Sequence, residues 1–232
     1  MACLAIAAAA AVMTSPIAPF SAAAPGAKLP EGWRSVGLRH VARAEPALVK
    51  DSDTTVLQLR AAAAVGSAVW RLDADPAITP ILSWRWKVDR VVRDADLALK
   101  EGDDYAARVY VTFDVPLAEL PFSTRARIVI ARVLFGSELP SAALCYVWDN
   151  RHPIGTSAWN PYSDRVRMVV LRNGAAHVGE WVGEQRDVAE DFRAAFGGSL
   201  PRVSGVAVSV DTDQTGDTVT AWFGDLALGP RR

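Results

Sequence analysis

The chain is poor in the residue types that usually supply a catalytic centre or a covalent scaffold. It holds two cysteines and three histidines in 232 residues, and Cys3 lies in an N-terminal segment that we expect to be removed. Cys145 is then alone and cannot form an internal disulfide. It lies in an apolar stretch, where cysteine usually acts as a small buried hydrophobe. We therefore expect the hydrophobic core to stabilise the fold.

The chain also lacks an excess of charge of either sign. It has 25 basic and 26 acidic side chains, for a formal net charge of −1 at pH 7, and the lysines and arginines form no basic block. This balance gives no electrostatic case for binding nucleic acid or an anionic membrane. We therefore expect no nucleic-acid partner, and the sequence does not indicate an oligomeric state.

The long apolar run of the chain is confined to its beginning. Residues 1–13 are apolar and rich in alanine, and small residues follow at 21–24. The pattern is typical of a secretory signal peptide, although a basic first segment is missing, and an alanine-rich disordered leader is the alternative. The run is too short to span a bilayer. We expect a leader over residues 1–24, one domain over 25–232, no transmembrane anchor, and a periplasmic or secreted location.

Short alternating patterns dominate the chain from about Gly32 onward. Each is rich in β-branched or aromatic residues and is bounded by Gly, Pro, Asn or Asp, which is typical of strands. Their regular spacing with few helices favours a sandwich over a βαβ sheet. The predicted strands cover residues 56–60, 67–72, 81–88, 108–113, 144–148, 166–171, 177–182, 203–210 and 218–228.

Two segments have helical patterns. A capping box at Asp187 and Glu190 predicts a helix that ends at Gly197 and Gly198. Residues 123–135 have helix-compatible spacing but are also consistent with a strand. The expected fold is therefore all-β with one or two short helices, a β-sandwich of jelly-roll type similar to galactose-binding-like and carbohydrate-binding modules.

An ordered set of short motifs resembles a bacterial family known as domain of unknown function 3047. The set covers most of the chain after residue 24, with Gln214 standing where asparagine is expected. The resemblance implies a single exported domain without an established activity, and it supplies no catalytic residues. The motifs are LPEGW (29–33), LSWRWK (82–87), GDDYAARVYV (102–111), YVWDN (146–150), NPY (160–162), EQRDV (184–188) and DTDQTG (211–216).

Tryptophans stand two apart in the strand predicted over residues 81–88. Trp84 and Trp86 share one face of that strand, while Arg85 and Lys87 share the other. The pair is either an aromatic platform for sugar rings or part of the core. Because basic neighbours suit a solvated face, we predict that both tryptophans fill the core.

A loop tryptophan is the better candidate for an exposed ligand-binding ring. Trp159 lies in the loop over residues 156–161, and loops on rigid scaffolds often carry binding residues. We predict that it lines a ligand-accessible surface near Asp149 and Asn150. His152 follows them, but a single loop histidine is usually just exposed, and the chain has no Gly-x-Ser-x-Gly nucleophile elbow.

Two adjacent carboxylates precede the strand predicted over residues 108–113. Asp103 and Asp104 point apart if the chain is extended there, and Gly-Asp-Asp is ordinary turn chemistry. Arg108 shares a strand face with Tyr110 and Thr112, and a buried arginine needs a carboxylate partner. Asp103, Asp104 and Arg108 are candidate ligand-binding residues, with a turn and an ion pair as the structural alternative.

The acidic segment near the C-terminus has the spacing of a cation-binding loop. Asp211, Asp213 and Thr215 stand where the first ligands of a calcium loop would stand, and Gly216 permits a turn. The glutamate that an EF-hand needs at position 12 is absent, so any calcium would be structural and would use Asp217 or a distant carboxylate. We favour a hairpin turn with hydrogen-bonded side chains. No other cofactor is indicated.

No motif identifies a reaction, so three hypotheses are carried forward. The favoured one is a non-catalytic module that binds a glycan or another envelope component, which requires an exposed aromatic ring in a groove. The second is an enzyme acting on envelope polysaccharide, with two carboxylates about 5–10 Å apart across a cleft. The third is an interaction subunit of an envelope complex, with a large exposed apolar patch. The carboxylates considered for the enzyme are Asp103, Asp104, Asp149 and Asp187.

Overall fold

Two stacked β-sheets make up the computed structural model, which describes residues 17–116, 118 and 141–231. One α-helix, α1 (Val188–Phe196), and two single-turn 3-10 helices (Phe20–Ala22 and Lys100–Gly102) accompany them in those ranges. The strands are β1 (Trp33–Val36), β2 (Ala42–Arg43), β3 (Ala47–Asp51), β4 (Thr54–Ala62), β5 (Ala64–Ala74), β6 (Ile81–Val88), β7 (Tyr105–Phe113), β8 (Ala142–Asp149), β9 (Ser157–Asn160), β10 (Ser163–Asn173), β11 (Val182–Asp187), β12 (Val203–Asp211), β13 (Thr218–Phe223) and β14 (Ala227–Gly229).

The chain passes back and forth between the two sheets. Sheet A has the order β1-β5-β12-β7-β8-β10-β9, with β2 beside β5, and sheet B has the order β11-β6-β13-β4-β3, with β14 beside β6. The pairs β8–β10 and β2–β5 are parallel, whereas the neighbouring pairs of β7 and β12 are antiparallel. Because consecutive strands such as β4 to β7 alternate between sheets, the fold is a β-sandwich of jelly-roll type. The predicted fold class is confirmed.

Aromatic side chains from both sheets meet in the core. Strand β6 alternates half-buried and buried residues, which turns Trp84 and Trp86 inward. The ring of Trp84 stacks on Tyr146 with centroids 5.4 Å apart, and Trp86 contacts Trp148 at 5.7 Å. Since Tyr146 and Trp148 lie on β8, these contacts join sheet B to sheet A. The prediction that the tryptophan pair belongs to the core is confirmed.

The helix predicted after residue 187 is present as α1. The Asp187 carboxylate accepts hydrogen bonds from the amides of Ala189 and Glu190, at 3.1 and 2.9 Å, and so satisfies two of the free amides in the first turn. Gly197, with a φ of 65°, ends the helix in a conformation that favours glycine. The helix or strand predicted over residues 123–135 lies outside the described residues.

Two local predictions near the C-terminal half are wrong. Residues 177–181 are not part of a strand, since 177–179 form a turn and β11 begins only at Val182. The segment between Val210 and Thr218 is not a hairpin turn, because β12 lies in sheet A and β13 in sheet B. This segment is therefore a crossover between the sheets. Local alternation identifies strands but carries no information on which sheet each strand joins.

Ile17, the first residue that the structure describes, is buried together with Phe20. The Phe20 ring lies 4.7 Å from that of Trp33, and Ser21 donates hydrogen bonds to the Asp225 carboxylate from its amide and its hydroxyl. The boundary between leader and domain at residue 24 stays a prediction, and a cut there would remove these contacts. Across residues 17–116, 118 and 141–231, no helix is long and apolar enough to cross a bilayer.

Candidate functional site

A groove of about 500 Å³ lies on the outer face of sheet A. Strand pairing creates its floor, because Arg108 on β7 lies opposite Ser209 on β12, and Ser209 lies opposite Ser67 on β5. Side chains at alternate positions of a strand share a face, so Tyr110 follows Arg108 along the same floor. The groove is also lined by Val36, Gly37, Leu38, Val65, Asp103, Asn160, Tyr162, Val166, Asp211 and Gln214.

Exposed apolar side chains flank the groove. Leu38, which follows β1, is 58% exposed, and Tyr162, between β9 and β10, is 53% exposed. The Tyr162 hydroxyl donates a hydrogen bond to the Lys100 carbonyl at 3.1 Å, and the Lys100 ammonium lies 5.3 Å from the ring centroid. These contacts hold the tyrosine ring in place while leaving much of it open to solvent.

A buried arginine organises the floor. The Arg108 guanidinium donates a hydrogen bond to the Tyr110 hydroxyl at 3.0 Å and contacts the Asp103 and Asp211 carboxylates at 3.3 and 3.6 Å. It also lies 4.6 Å from the Tyr105 ring centroid. Burial opposes the charge, but Tyr110, Asp103 and Asp211 outweigh it and raise the pKa of Arg108 above its usual value. The arginine is therefore charged, and Asp103 is the partner that its burial requires.

Asp103 also connects the floor of the groove to Tyr162, whose ring forms one wall of the groove. Its second oxygen accepts a hydrogen bond from the Asn160 side-chain amide at 2.9 Å. The Asn160 oxygen in turn accepts from the backbone amide of Tyr162 at 3.0 Å. This chain of hydrogen bonds fixes the position of Tyr162 relative to Arg108, so the groove is preorganised.

A cluster of three carboxylates adjoins the groove at the end where β7 begins and β12 ends. Asp104, Asp211 and Asp213 each place one oxygen within 4.8 Å of the other two. The pairing of β7 with β12 brings them together, since Asp211 lies opposite Tyr105, the residue after Asp104. The Oδ2 atom of Asp104 accepts a hydrogen bond from the Thr215 amide at 2.6 Å. The cluster offers only oxygen atoms, which are the donors that hard cations prefer.

The cluster overlaps only partly with the metal-binding set expected from the sequence. Asp211 and Asp213 belong to it, and Asp104 joins them. The Thr215 hydroxyl instead accepts a hydrogen bond from the Asp217 amide at 3.4 Å, and the Asp217 carboxylate accepts from the Thr218 amide at 2.7 Å. These two side chains therefore serve the turn.

Burial raises the pKa of Asp211 to about 8, and the Asp213 hydrogen bond and the charge of Asp104 add to this effect against the opposing Arg108. Because the folded-state pKa lies above the ordinary value of 3.8, folding favours the protonated acid. The stability from this group is fully present below about pH 4 and is lost as the pH rises through about 8.

In buffer with chelator, we expect thermal unfolding to give a lower midpoint at pH 9 than at pH 6. The difference should shrink in Asp211→Asn, and the same pH dependence in that variant would contradict the assignment.

Trp159 is exposed, as predicted, but it lies on the other face of sheet A from the groove. Tyr110 on the groove face pairs with Cys145, which pairs with Met168, which in turn pairs with Ala158. Ala158 therefore lies on the groove face, and Trp159, the next residue along β9, points to the opposite face. It is 40% exposed, and its ring contacts Phe196 of α1 at 5.4 Å. The structure does not bring Trp159 together with Arg108, Asp103 or Asp104.

Asp149 and Asn150 hold a turn at the end of β8. One Asp149 oxygen accepts hydrogen bonds from the amides of Arg151 and His152, at 3.0 and 2.5 Å, and lies 3.0 Å from the His152 ring nitrogen. The Asn150 side-chain amide donates to the Arg93 carbonyl. These contacts are those of a hydrogen-bonded turn, and neither residue lines the groove.

A second depression, of about 570 Å³, lies at the edge of sheet B formed by β6, β11 and β14. It contains Asp187, whose carboxylate caps α1 and pairs with Arg231 at 2.6 Å. Since its charged groups are engaged with each other and with the helix, it is a weaker candidate site. Asp187 lies on sheet B and does not share a cleft with Asp103 or Asp104.

The sequence pattern missed several residues of the groove. Ser67 and Ser209 hydrogen-bond to each other across β5 and β12 at 2.9 Å, and the pairing of distant strands that joins them has no local signature. Asn160 and Tyr162 did carry a signal, since both belong to the motif over residues 160–162. An aromatic ring beside Asn-Pro in a turn was the cue for this wall.

Fold and site together define a jelly-roll β-sandwich with a polar groove on the outer face of one sheet. The chain belongs to the family described as "Protein of unknown function (DUF3047)", whose model matches residues 31–227, so the resemblance of its motifs is confirmed. Comparison with curated proteins gives no significant match.

Among solved structures, the chain is similar to a family 30 carbohydrate-binding module of a Clostridium thermocellum cellulosomal cellulase, with 12% identity, a TM-score of 0.44, and 86% and 92% of the two chains covered. It is also similar to the xyloglucanase domain of NopAA, a type three effector from Sinorhizobium fredii, in complex with cellobiose. Here the identity is 7% and the TM-score is 0.45, with 89% of this chain and 98% of that chain covered. The cellulose-induced protein Cip1 is similar with 13% identity and a TM-score of 0.36, with 86% of this chain and 92% of that chain covered. We take the chemistry of a ligand from the side chains of the groove itself.

Proposed function

We propose that the chain is an exported, non-catalytic module that binds a neutral glycan in the groove of sheet A. The observation that carries this proposal is the combination of an open tyrosine ring with a floor of hydroxyl and amide groups in a groove of about 500 Å³. That volume is within the range of ordinary ligand sites. A sugar ring presents an apolar face that suits Tyr162 and hydroxyl edges that suit Ser67, Ser209 and Asn160.

The charges of the groove favour a neutral ligand. Among its lining residues, Asp103 and Arg108 form an ion pair at 3.3 Å and largely cancel. Asp211 lies 3.6 Å from the same guanidinium, so Asp103, Arg108 and Asp211 together give the lining no net positive charge. A polyanion would find little net positive charge here, whereas sugar hydroxyl groups can hydrogen-bond to the polar side chains that line the groove.

The engagement of the carboxylates supports binding over hydrolysis. Asp103 uses one oxygen on Arg108 and the other on Asn160. A glycosidase needs an acid and a second carboxylate that are both free to reach the scissile bond. The raised pKa of Asp211 is a property of a general acid, and for that reason hydrolysis is the second candidate. Release of new reducing ends would favour it.

Export is part of the same proposal. The alanine-rich segment over residues 1–13 supports a secretory signal, and a periplasmic or secreted location suits a glycan-binding module. The contacts of Phe20 and Ser21 with the body of the domain favour a mature chain that retains residues from Ile17 onward.

The test compares two aromatic substitutions on opposite faces of sheet A. We expect Tyr162→Ala to weaken binding of the best ligand in a panel of neutral oligosaccharides about tenfold, or about 1.4 kcal/mol, because the ring supplies the stacking surface. Trp159→Ala is the matched control and should bind like the parent. Isothermal titration calorimetry with cello-, xylo-, manno- and chito-oligosaccharides measures both. Loss of affinity in Trp159→Ala alone, or no binding by the parent, would contradict the proposal.

A further inference from the structure

We propose that Asp104, Asp211 and Asp213 bind a calcium ion at the end of sheet A. One oxygen from each carboxylate lies within 4.8 Å of the others. Ligand oxygens sit about 2.3–2.6 Å from a bound Ca²⁺, so any two of them lie within about 5 Å of each other. The spacing of the cluster is therefore that of the ligands of a single ion.

Unsatisfied oxygen atoms point to the same conclusion independently. Within the described ranges, Asp104 Oδ1 and Asp213 Oδ1 are buried and have no hydrogen-bond partner. Asp104 is 0% exposed, and its other oxygen already accepts from the Thr215 amide. A buried carboxylate oxygen without a donor is costly, and buried charges are normally paired or bound to metals. A cation at the centre of the cluster would remove this cost for both residues.

The negative charge of the cluster is only partly compensated by nearby side chains. The Arg108 guanidinium lies 3.6 Å from Asp211, but it is also paired with Asp103 at 3.3 Å. Its single positive charge is thus shared between the groove and the cluster. The carboxylates of Asp104, Asp211 and Asp213 repel one another unless a proton or a cation offsets their charge. A divalent cation held by all three carboxylates would offset that charge.

The donor set and its burial select calcium among the divalent ions. All three side chains offer carboxylate oxygens, which suit hard cations. Mg²⁺ keeps several water molecules and dehydrates reluctantly, whereas Ca²⁺ accepts six to eight oxygens in flexible geometry. Asp104 and Asp211 are both buried, which leaves little space for the waters of magnesium on their side. Asp213 is half-buried and leaves a solvent side where water can complete the calcium sphere.

The ion would join parts of the chain that are far apart in sequence. Asp104 precedes β7 in sheet A, Asp211 ends β12, and Asp213 lies in the crossover that leads to β13 in sheet B. Calcium would therefore fasten the crossover to the start of β7. This role is structural and holds whether or not the groove binds a glycan.

The experiment measures calcium on the full chain in two ways. Equilibrium dialysis should find about one calcium ion per chain after removal of chelator. Calcium at about 100-fold excess over its dissociation constant should raise the thermal midpoint by about 5–10 °C relative to excess chelator. We expect Asp104→Asn to fold, because it relieves carboxylate repulsion, and to lose both the bound ion and the rise.

The matched control is Asp217→Asn in the same crossover. The Asp217 carboxylate accepts from the Thr218 amide and lies outside the cluster, so this variant should keep the calcium-dependent rise. A parent protein that binds no calcium and keeps the same midpoint in chelator would overturn the proposal. Loss of the rise in Asp217→Asn to the same degree as in Asp104→Asn would overturn the choice of residues. A rise of equal size with magnesium would overturn the assignment to calcium.

Discussion

Replacing Trp86 by alanine lowers the free energy of unfolding by about 3–5 kcal/mol, the range for truncating a large buried aromatic side chain. The ring is fully buried between Trp84 and Trp148, with centroids 5.6 and 5.7 Å away. Its removal opens a cavity between sheets A and B that the rigid strands cannot close. Denaturant unfolding, with the midpoint and slope fitted together, measures the loss.

Trp159→Ala is the control for that substitution. It removes the same side chain from a site that is 40% exposed and that contacts Phe196 at the edge of the fold. We expect a clearly smaller loss of stability, because less apolar surface returns to water. Equal losses in the two variants would contradict the assignment of Trp86 to the joint between the sheets.

Arg108→Met is expected to destabilise the fold by about 3–5 kcal/mol at neutral pH, because breaking a buried ion pair leaves an uncompensated charge. The substitution keeps much of the side-chain volume but removes the partner of Asp103 and Asp211. It also frees the Tyr110 hydroxyl from its hydrogen bond at 3.0 Å. Denaturant unfolding of the variant against the parent measures the effect.

The double variant Arg108→Met with Asp103→Asn separates charge from packing. Removing the abandoned Asp103 carboxylate should recover part of the lost stability, because one of the two carboxylates that faced Arg108 is then uncharged. If the single variant is as stable as the parent, the arginine does not organise the floor of the groove. If the double variant is no more stable than the single one, the unpaired charge of Asp103 does not cause the loss.

The sequence predicted the strands and the core well where a local pattern carries the information. Alternation in β6 placed Trp84 and Trp86 in the core, and the side chain of Asp187 marked the start of α1. The alternation of apolar and polar residues depends only on which face of a strand is buried, so it is the same for any partner strand. The segment after residue 211 was wrongly predicted to be a hairpin turn. A hairpin requires both flanking strands to lie in the same sheet, and the local sequence does not show that β12 and β13 lie in different sheets.

The site was less accessible to prediction because its parts are distant in sequence. The amide of Thr215 binds a carboxylate at Asp104, 111 positions away, and no local spacing encodes that contact. Trp159 was predicted to lie in a loop, but it belongs to strand β9, and the register of that strand turns it away from the groove. Tyr162 does lie between two strands, and the hydrogen bond of its amide to Asn160 places it beside the groove.

Nuclear magnetic resonance provides the most direct test of the groove as a glycan site. Amide chemical shifts of the isotope-labelled chain would be followed during titration with the oligosaccharide that binds most tightly in calorimetry. We expect the largest changes at Ser67, Tyr110, Asn160, Tyr162 and Ser209, with little change at Trp159. Changes centred on Trp159 and α1, or on the edge of sheet B around Asp187, would contradict it.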